Sequence, residues 1–456
     1  MKEIIDLNKI PKNWNILSVK KIGKLSTSSV DKKIVEGEKI VSLLNYLDIY
    51  KSKTKKIESS EGLMKVSASE QNLTTSDLLT GDVVFTPSSE TVEDIGHSVV
   101  IFSDLKETLY SYHVLRLRFN SNFEIDNEFK KYLFNNNFFL NQLSAKARGT
   151  TRMTLGLKDF YTSIIFLPPL SEQIQIASFL DKKTALIDEI IAKKERLIET
   201  LQAKRQATIN EVVTGKKVWN PKTNTWTEAS KVKNSGIDWL GEIPEDWEVV
   251  KLKYLVSKVG SGVTPRGGGE VYYDEGVIFV RSQNVHFDGL RLEDIVRIDI
   301  ETHENMSGSK VQRNDVLLNI TGASIGRCCV VNVDDEINVN QHVSILRTNE
   351  RVFPYFLNLV LQSSIGQLQV NLKSSGGNRE GLTAEAIKTF IIPLPKKNEQ
   401  LIIIDKLGEL ISHFETTIFR IQTQIQKLKE YRQSLISEAV TGKIDVRDWQ
   451  ALGSKA

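Results

Sequence analysis

The sequence predicts an α+β protein: two globular α/β domains in a pseudo-two-fold tandem repeat, separated by two long helices that pair as an antiparallel coiled coil. Three observations carry that expectation. First, EVVTGK at 211–216 and EAVTGK at 438–443 recur 227 residues apart. Second, the same shift pairs Glu172 and Gln173 of PLSEQ with Glu399 and Gln400 of KKNEQ, and Gly149, Arg152 and Leu155 with Gly376, Arg379 and Leu382. Third, a shift of 233 matches IPKNW at 10–14 to IPEDW at 243–247, and Asp82 to Asp315. A chain of 456 residues exceeds what one core usually fills, so one unit has been duplicated and has diverged.

Residues 1–168 form the first domain, with short β-rich runs such as DVVFT and HSVVIF, glycine-bearing turns, and a helical stretch at FKKYLFNNNFFLNQL. Residues 169–216 form a long helix. Ser171 is a good N-cap residue, the following Glu-Gln suits the positive helix end, and Leu180, Thr184, Ile187, Ile191, Ile198, Leu201, Thr208 and Val212 recur at spacings of a heptad seam. Residues 217–242 are a linker. Residues 243–396 repeat the first domain, with VIFVRS, CCVVNV and FPYFLNLVLQSSI. Residues 397–443 repeat the helix, with Asn398 as cap and Leu407, Ile411, Phe414, Ile418, Ile421, Ile425, Leu428, Leu435 and Ala439 on the seam. Residues 444–456 are a tail.

Each helix of some 40 residues would be roughly 60 Å long and act as a spacer. Arg205, Arg432 and Lys194 interrupt the seam, either snorkelling off its edge or setting a polar register lock. Residues 171–216 carry eight basic and seven acidic side chains, and 398–443 carry six of each, so the helices suit protein contact better than a phosphate track. Thr-Gly-Lys can be part of a phosphate loop, but nothing upstream completes one. Gly215 and Gly442 fit the left-handed residue that stops a helix, with Lys216 and Lys443 near its negative end.

Composition narrows the class. With 40% hydrophobic and 26% charged residues the chain reads as soluble and globular. It has no apolar run of membrane length and no signal-peptide pattern at its start, so no membrane partner is expected and the expected location is the cytoplasm. A net charge of +3 permits a nucleic-acid partner without requiring one. Cys328 and Cys329 are neighbours in a strand-like run and point to opposite faces, which suits packing rather than a disulfide or zinc site.

Motifs for catalysis are weak. LPPL at 167–170 lacks the polar and aromatic residues of an amino-methyltransferase loop, GSGVTPRGGGE at 260–270 lacks the Gly-Lys-Ser/Thr of a nucleotide loop, and the six histidines form no His-Glu-x-x-His.

The sequence resembles the specificity subunits of type I restriction-modification systems. The resemblance rests on PLSEQIQIASFLDKKTALID at 169–188, on NSGIDWLGEIPEDWEVVKLKYL at 234–255 and on QSLISEAVTGKIDV at 433–446, in that order within a duplicated chain. It implies two target-recognition domains, each reading one half of a bipartite sequence in double-stranded DNA, with helices that set the gap. It also implies two modification (methyltransferase) subunits and restriction subunits as partners. S-adenosylmethionine, ATP and Mg2+ would serve those partners, with no cofactor or metal in this chain and no catalysis by it. The alternative is a coiled-coil scaffold that binds protein partners only; a self-sufficient DNA enzyme is a second rival.

Affinity for DNA would come from Lys and Arg on phosphates, and specificity from Arg, Asn or Gln on base edges. Candidates in the first domain are Lys51, Lys53, Lys55 and Lys56 of KSKTKK, and Lys146, Arg148 and Arg152 of KARGTTR. In the second they are Arg266, Arg281, Gln283, Asn284, Arg327 and Arg379. Arg152 and Arg379, matched across the repeat, suit a phosphate or structural role better than base reading.

Overall fold

The tandem repeat is visible strand by strand in a computed structural model, which describes residues 10–265, 272–374, 381–447 and 449. The chain divides into two units, one of residues 1–194 with 422–456 and one of 195–421. In the first, Gly23–Ser26, Leu115–Phe119, Val83–Phe85, Ser98–Ile101 and Lys56–Ile57 form a sheet in that order, and Met64–Ala68, Lys39–Leu44 and Thr108–Tyr110 form another. In the second, Val256–Ser261, Val343–Thr348, Val316–Asn319 and Cys328–Val330 repeat the first order, and Val296–Ile298, Val277–Val280, Ile337–Val339 and Lys310–Val311 repeat the second. Each second sheet holds one parallel pair, Lys39–Leu44 with Thr108–Tyr110 and Val277–Val280 with Ile337–Val339. The short β-branched runs build these sheets because they are buried on both faces, as the fully buried Val83–Phe85 and Val316–Asn319 illustrate.

The long helices are Leu170–Val213 and Lys397–Val440. Each starts two residues before the position, 172 or 399, that a cap at Ser171 or Asn398 would give. The Pro169 carbonyl accepts from the Glu172 and Gln173 amides at 2.9 and 3.0 Å, so Ser171 lies inside the first turn and does not cap it, and Lys396 does the same for Glu399 and Gln400. The glycines end the helices as expected, both at φ +74°. Ile187, Ile191, Phe414 and Ile425 of the seam are buried, whereas Ile198, Leu201, Ile418 and Leu428 are half-buried.

Both units pair their helix segments antiparallel. In the first, Lys194 Nζ donates to Gln424 at 2.6 Å and Arg432 Nε lies 2.9 Å from Asp188 Oδ1. In the second, Arg205 Nη2 lies 3.1 Å from Glu415 Oε1, while Ile209 and Val212 share a core with Ile403 and Leu407. The two arginine pairs match across the repeat, Asp188 with Glu415 as well as Arg432 with Arg205. The seam-breaking arginines are therefore cross-helix partners at one fixed register.

Matched side chains also tie domain to helix. Gln173 accepts from the Asp126 amide at 2.9 Å and donates to the Pro168 and Glu124 carbonyls at 2.9 and 3.2 Å. Gln400 does the same with the Phe353 amide and the Pro395 and Arg351 carbonyls, at 2.9, 3.0 and 3.0 Å. Gln433 and Ser437 bond to the Asn135 carbonyl and Asn137 amide, and Gln206 and Asn210 to the Gln362 carbonyl and Ser364 amide. Gln400 is fully buried, so Gln400→Ala strands one amide and two carbonyls. It is expected to lower stability by about 2–3 kcal/mol. Urea unfolding followed by tryptophan fluorescence reads this, and no shift in midpoint would show that water replaces the side chain.

Lys130 is a polar group inside the first core. Its ammonium donates to Gly81 O at 3.0 Å and Asn127 Oδ1 at 2.8 Å and lies 4.3 Å from the Phe119 ring. Burial pulls its pKa down to about 8 from the ordinary 10.5. The folded chain releases this proton first, so the stability cost of the charge disappears as pH rises from 8 towards 10.5. The gain is on the order of 1–3 kcal/mol. Urea midpoints at pH 8 and pH 10 should therefore rise in the parent and stay flat in Lys130→Met; equal slopes would exclude this lysine as the source.

The linker 217–242 is folded. Lys217–Asn220 and Thr225–Glu228 make a hairpin whose Trp219 and Trp226 rings meet edge-on at 5.3 Å. In the tail, Val446 is buried and Trp449 stands edge-on to Phe179 at 5.5 Å. Cys328 and Cys329 pack into two different hydrophobic clusters, and burial pushes the Cys329 thiol up to about 12.

Candidate nucleic-acid interface

The lysine run divides by position. Lys51 and Lys53 are exposed, but Lys56 pairs with Glu58 at 2.8 Å and lies 5.1 Å from the Phe102 ring. Lys55 takes a left-handed φ of +58°, and burial, then the nearby Arg432, lowers its pKa. With Lys53 and Lys56 it lines a cavity of about 670 Å³ whose walls include Glu128, Asp181 and Asp188. Lys131 pairs with Glu128 and Asp181 there and Arg432 with Asp188, so Lys53, Lys55 and Lys56 face a wall of mixed charge.

The loop KARGTTR is a short hairpin. Arg148 and Thr154 exchange backbone hydrogen bonds at 3.1 and 2.9 Å, and Gly149 takes φ +139° because a Cβ there would lie 2.0 Å from the Arg152 carbonyl oxygen. Lys146 turns toward the fold: its ammonium donates to Asp159 O, Thr162 Oγ1 and Ser163 Oγ at 3.0, 3.0 and 2.9 Å. Arg148 is exposed, with Asp159 at 3.5 Å. Arg152 is exposed and seated, its Nε and Nη2 donating to Ser88 Oγ at 3.3 and 3.0 Å.

In the second domain Asn284 is likewise spent on the fold. It is buried, accepts from the Arg281 amide at 3.0 Å and donates to the Arg291 carbonyl at 3.0 Å. Arg281 is half-buried, donates to Asp294 O at 3.3 Å and lies 5.9 Å from the Tyr272 ring. Gln283 is exposed and Arg327 half-buried. Arg266 and Arg379 lie outside the described residues.

One edge recurs in both units. The amides of Leu155 and Leu382 donate to Pro87 O and Ile320 O at 2.8 and 2.9 Å, so the Gly-x-x-Arg-x-x-Leu stretch is docked by its leucine. Beside that docking point, YHV at 112–114 and QHV at 341–343, a shift of 229, form corresponding connections between the two sheets. Tyr112 and Gln341 are exposed. The Tyr112 ring lies on His113 with centroids 3.8 Å apart, and burial, then Arg152, holds His113 below the usual histidine pKa. In the second unit Thr321 Oγ1 shares a 2.6 Å hydrogen bond with His342 Nδ1, and Gln341 Nε2 lies 3.1 Å from His342 Nε2. Ser88 and Thr321 also match across the repeat. The residue reading above missed His113 and His342, although the repeated His-Val dipeptide is legible once the shift is allowed to drift.

Fold and edge together define a duplicated α/β chain with two long helices. The model of the type I restriction modification DNA specificity domain matches residues 11–200 and 244–427, and the chain belongs to that family. The type I restriction enzyme EcoBI specificity subunit of Escherichia coli is 26% identical over 317 residues, 69% of this chain and 65% of that one. The MjaVIII specificity subunit of Methanocaldococcus jannaschii is 26% identical over 311 residues, 67% of this chain and 68% of that one. The chain thus spans just under two thirds of the length of the EcoBI subunit. A chain solved in work on complex assembly and conformational transition of the type I R-M system superposes with TM-score 0.72 and 18% identity, over 95% of this chain and 99% of that chain. The HsdS subunit from Thermoanaerobacter tengcongensis gives 0.52 and 18%, over 95% and 98%. These likenesses are of fold. No helix among the described residues is long and apolar enough to cross a membrane.

Proposed function

We propose that the chain is the DNA sequence-specificity subunit of a type I restriction-modification complex. Each α/β domain reads one half of a bipartite duplex target. The helices dock two modification subunits, restriction subunits join that assembly, and S-adenosylmethionine, ATP and Mg2+ serve those partners. This chain supplies recognition and no catalysis. The observation that supports the reading is that the two family matches, 11–200 and 244–427, fall on two units with one strand order and diverged exposed loops. One frame carrying two different loop sets suits two different half-sites.

The test is co-expression with the modification subunit, followed by mapping of N6-methyladenine. A bipartite motif is expected, and exchanging the exposed loops of one domain should change one half alone. A continuous motif, or methylation that persists without this chain, would sink the reading. No salt-dependent binding to duplex DNA beyond a weak background would favour a scaffold that engages proteins only.

A further inference from the structure

The matched edge of the two units has features that packing does not explain. Tyr112, Arg152 and Gln341 are exposed, while the residues that hold them sit lower: Ser88 is buried and His342 and Thr321 are half-buried. In the first unit the buried hydroxyl fixes a guanidinium through two of its N–H groups, which leaves others to face outward. In the second unit the hydroxyl, the imidazole and the amide form a chain from Thr321 through His342 to Gln341. That chain fits a ring carrying its proton on Nδ1, with Gln341 donating one amide hydrogen to Nε2 and presenting the other to solvent. Both arrangements are preorganised hydrogen-bond donors on a hydroxyl seat at the same place in the fold.

The charge around the first edge is mostly positive. Lys32, Arg148 and Arg152 are exposed, and the nearby Asp31 carboxylate is taken up by Lys33 at 3.2 Å and the Lys32 amide at 2.7 Å. Domains that read different half-sites share one substrate feature, the sugar-phosphate backbone. What both domains keep is the hydroxyl seat, Ser88 matched by Thr321, while the donors it carries, Arg152 and Gln341, stand at unmatched positions. A seat retained at one place in both domains suits that shared backbone, and the loops that differ suit the bases.

We propose that this edge anchors each domain to the DNA phosphodiester backbone, through Arg152 seated on Ser88 in the first domain and through Gln341 seated on His342 and Thr321 in the second. His342 is a positioning residue that aims the Gln341 amide. The anchor is independent of sequence and separate from base reading. It rests on the DNA-specificity reading above, and its test is arranged to fail separately.

The experiment uses the full chain with its modification subunit and two duplexes, one carrying the mapped motif and one scrambled. Arg152→Gln, Gln341→Ala and His342→Ala are compared with the parent. Each should weaken both duplexes by the same factor, on the order of three- to tenfold, and leave the methylated motif and thermal midpoint unchanged. Arg152→Gln should also lower the slope of log affinity against log salt by about one, whereas Gln341→Ala, which removes no charge, should not. His342→Gln, which keeps an acceptor beside Gln341, should recover part of the loss seen in His342→Ala. Relaxation of one half of the motif would overturn the proposal in favour of base reading. Unchanged DNA affinity with loss of modification-subunit co-purification would overturn it in favour of a protein contact. Unchanged affinity and co-purification would leave the edge no binding role. A parent complex that binds neither duplex would instead remove the DNA reading itself.

Discussion

Asp315→Ala is expected to destabilise the second unit by about 2–4 kcal/mol, and Asp82→Ala the first by less, because Arg118 keeps Asp77 at 3.3 Å. Asp315 is 1% exposed; its carboxylate accepts from Arg347 Nε and Nη2, both at 2.8 Å, and from the Gln312 amide at 2.7 Å. Asp82 is built the same way, with Arg118 at 2.9 and 2.7 Å and the Leu79 amide at 2.9 Å. Removing the acid leaves a guanidinium whose side chain is only 27% exposed in the second unit, together with an unpaired amide. The partial exposure of Arg347 lets water recover part of the charge, which is why the estimate sits below the full cost of a broken buried pair. Asp315→Asn keeps an acceptor for Gln312 and should lose about half as much. Urea unfolding of the three proteins gives the order parent, Asn, Ala; an Asn variant as unstable as the Ala variant would put the whole effect on the ion pair.

The second large effect is at the helix stops. Gly442→Val should cost about 3 kcal/mol and Gly215→Val a similar amount. Both glycines take φ +74°, which an L side chain adopts at a cost of roughly 1–2 kcal/mol. A Cβ would in addition lie 2.5 Å from Pro11 Cδ at Gly442 and 2.2 Å from Pro244 Cδ at Gly215, and a proline ring has little room to yield. Those prolines open the IPKNW and IPEDW segments, whose tryptophans donate to Glu172 and Glu399 at 2.8 and 3.0 Å. The glycine contact thus closes a small assembly of helix stop, proline, tryptophan and helix start in each unit. Gly236 supplies the control: it shares φ +74° but a Cβ there meets nothing within 4 Å, so Gly236→Ala should show the backbone cost alone, about 1 kcal/mol. Equal midpoint shifts for Gly442→Val and Gly236→Ala would mean that the proline contact contributes nothing.

Much of the architecture was legible because its signals are local or periodic. The helix stops were legible from Gly215 and Gly442, two residues past the last helical residues Val213 and Val440, since a left-handed stop depends on its own residue type. The miss at the starts, where Ser171 and Asn398 looked like caps, came from the preceding prolyl and lysyl carbonyls, which the helices use instead. The hairpin in the linker was not legible because the cross-strand pairing of Trp219 and Trp226 is a contact between residues, not a property of either. Arg205 and Arg432 could be read two ways until Glu415 and Asp188 were found across from them.

The candidate site was harder to read. Lys146 and Asn284 resembled good DNA ligands by residue type, yet both donate into the fold. Arg152 stayed exposed because Ser88, 64 positions away, offers it a seat rather than a burial site. The sequence by itself determined the duplication, the alternation of domain and helix, and the residues that recur at each junction. The tertiary structure alone decided which polar side chains remain available to a partner. Availability depends on which hydrogen-bond groups arrive from distant segments, and a buried donor takes the nearest acceptor that folding brings to it.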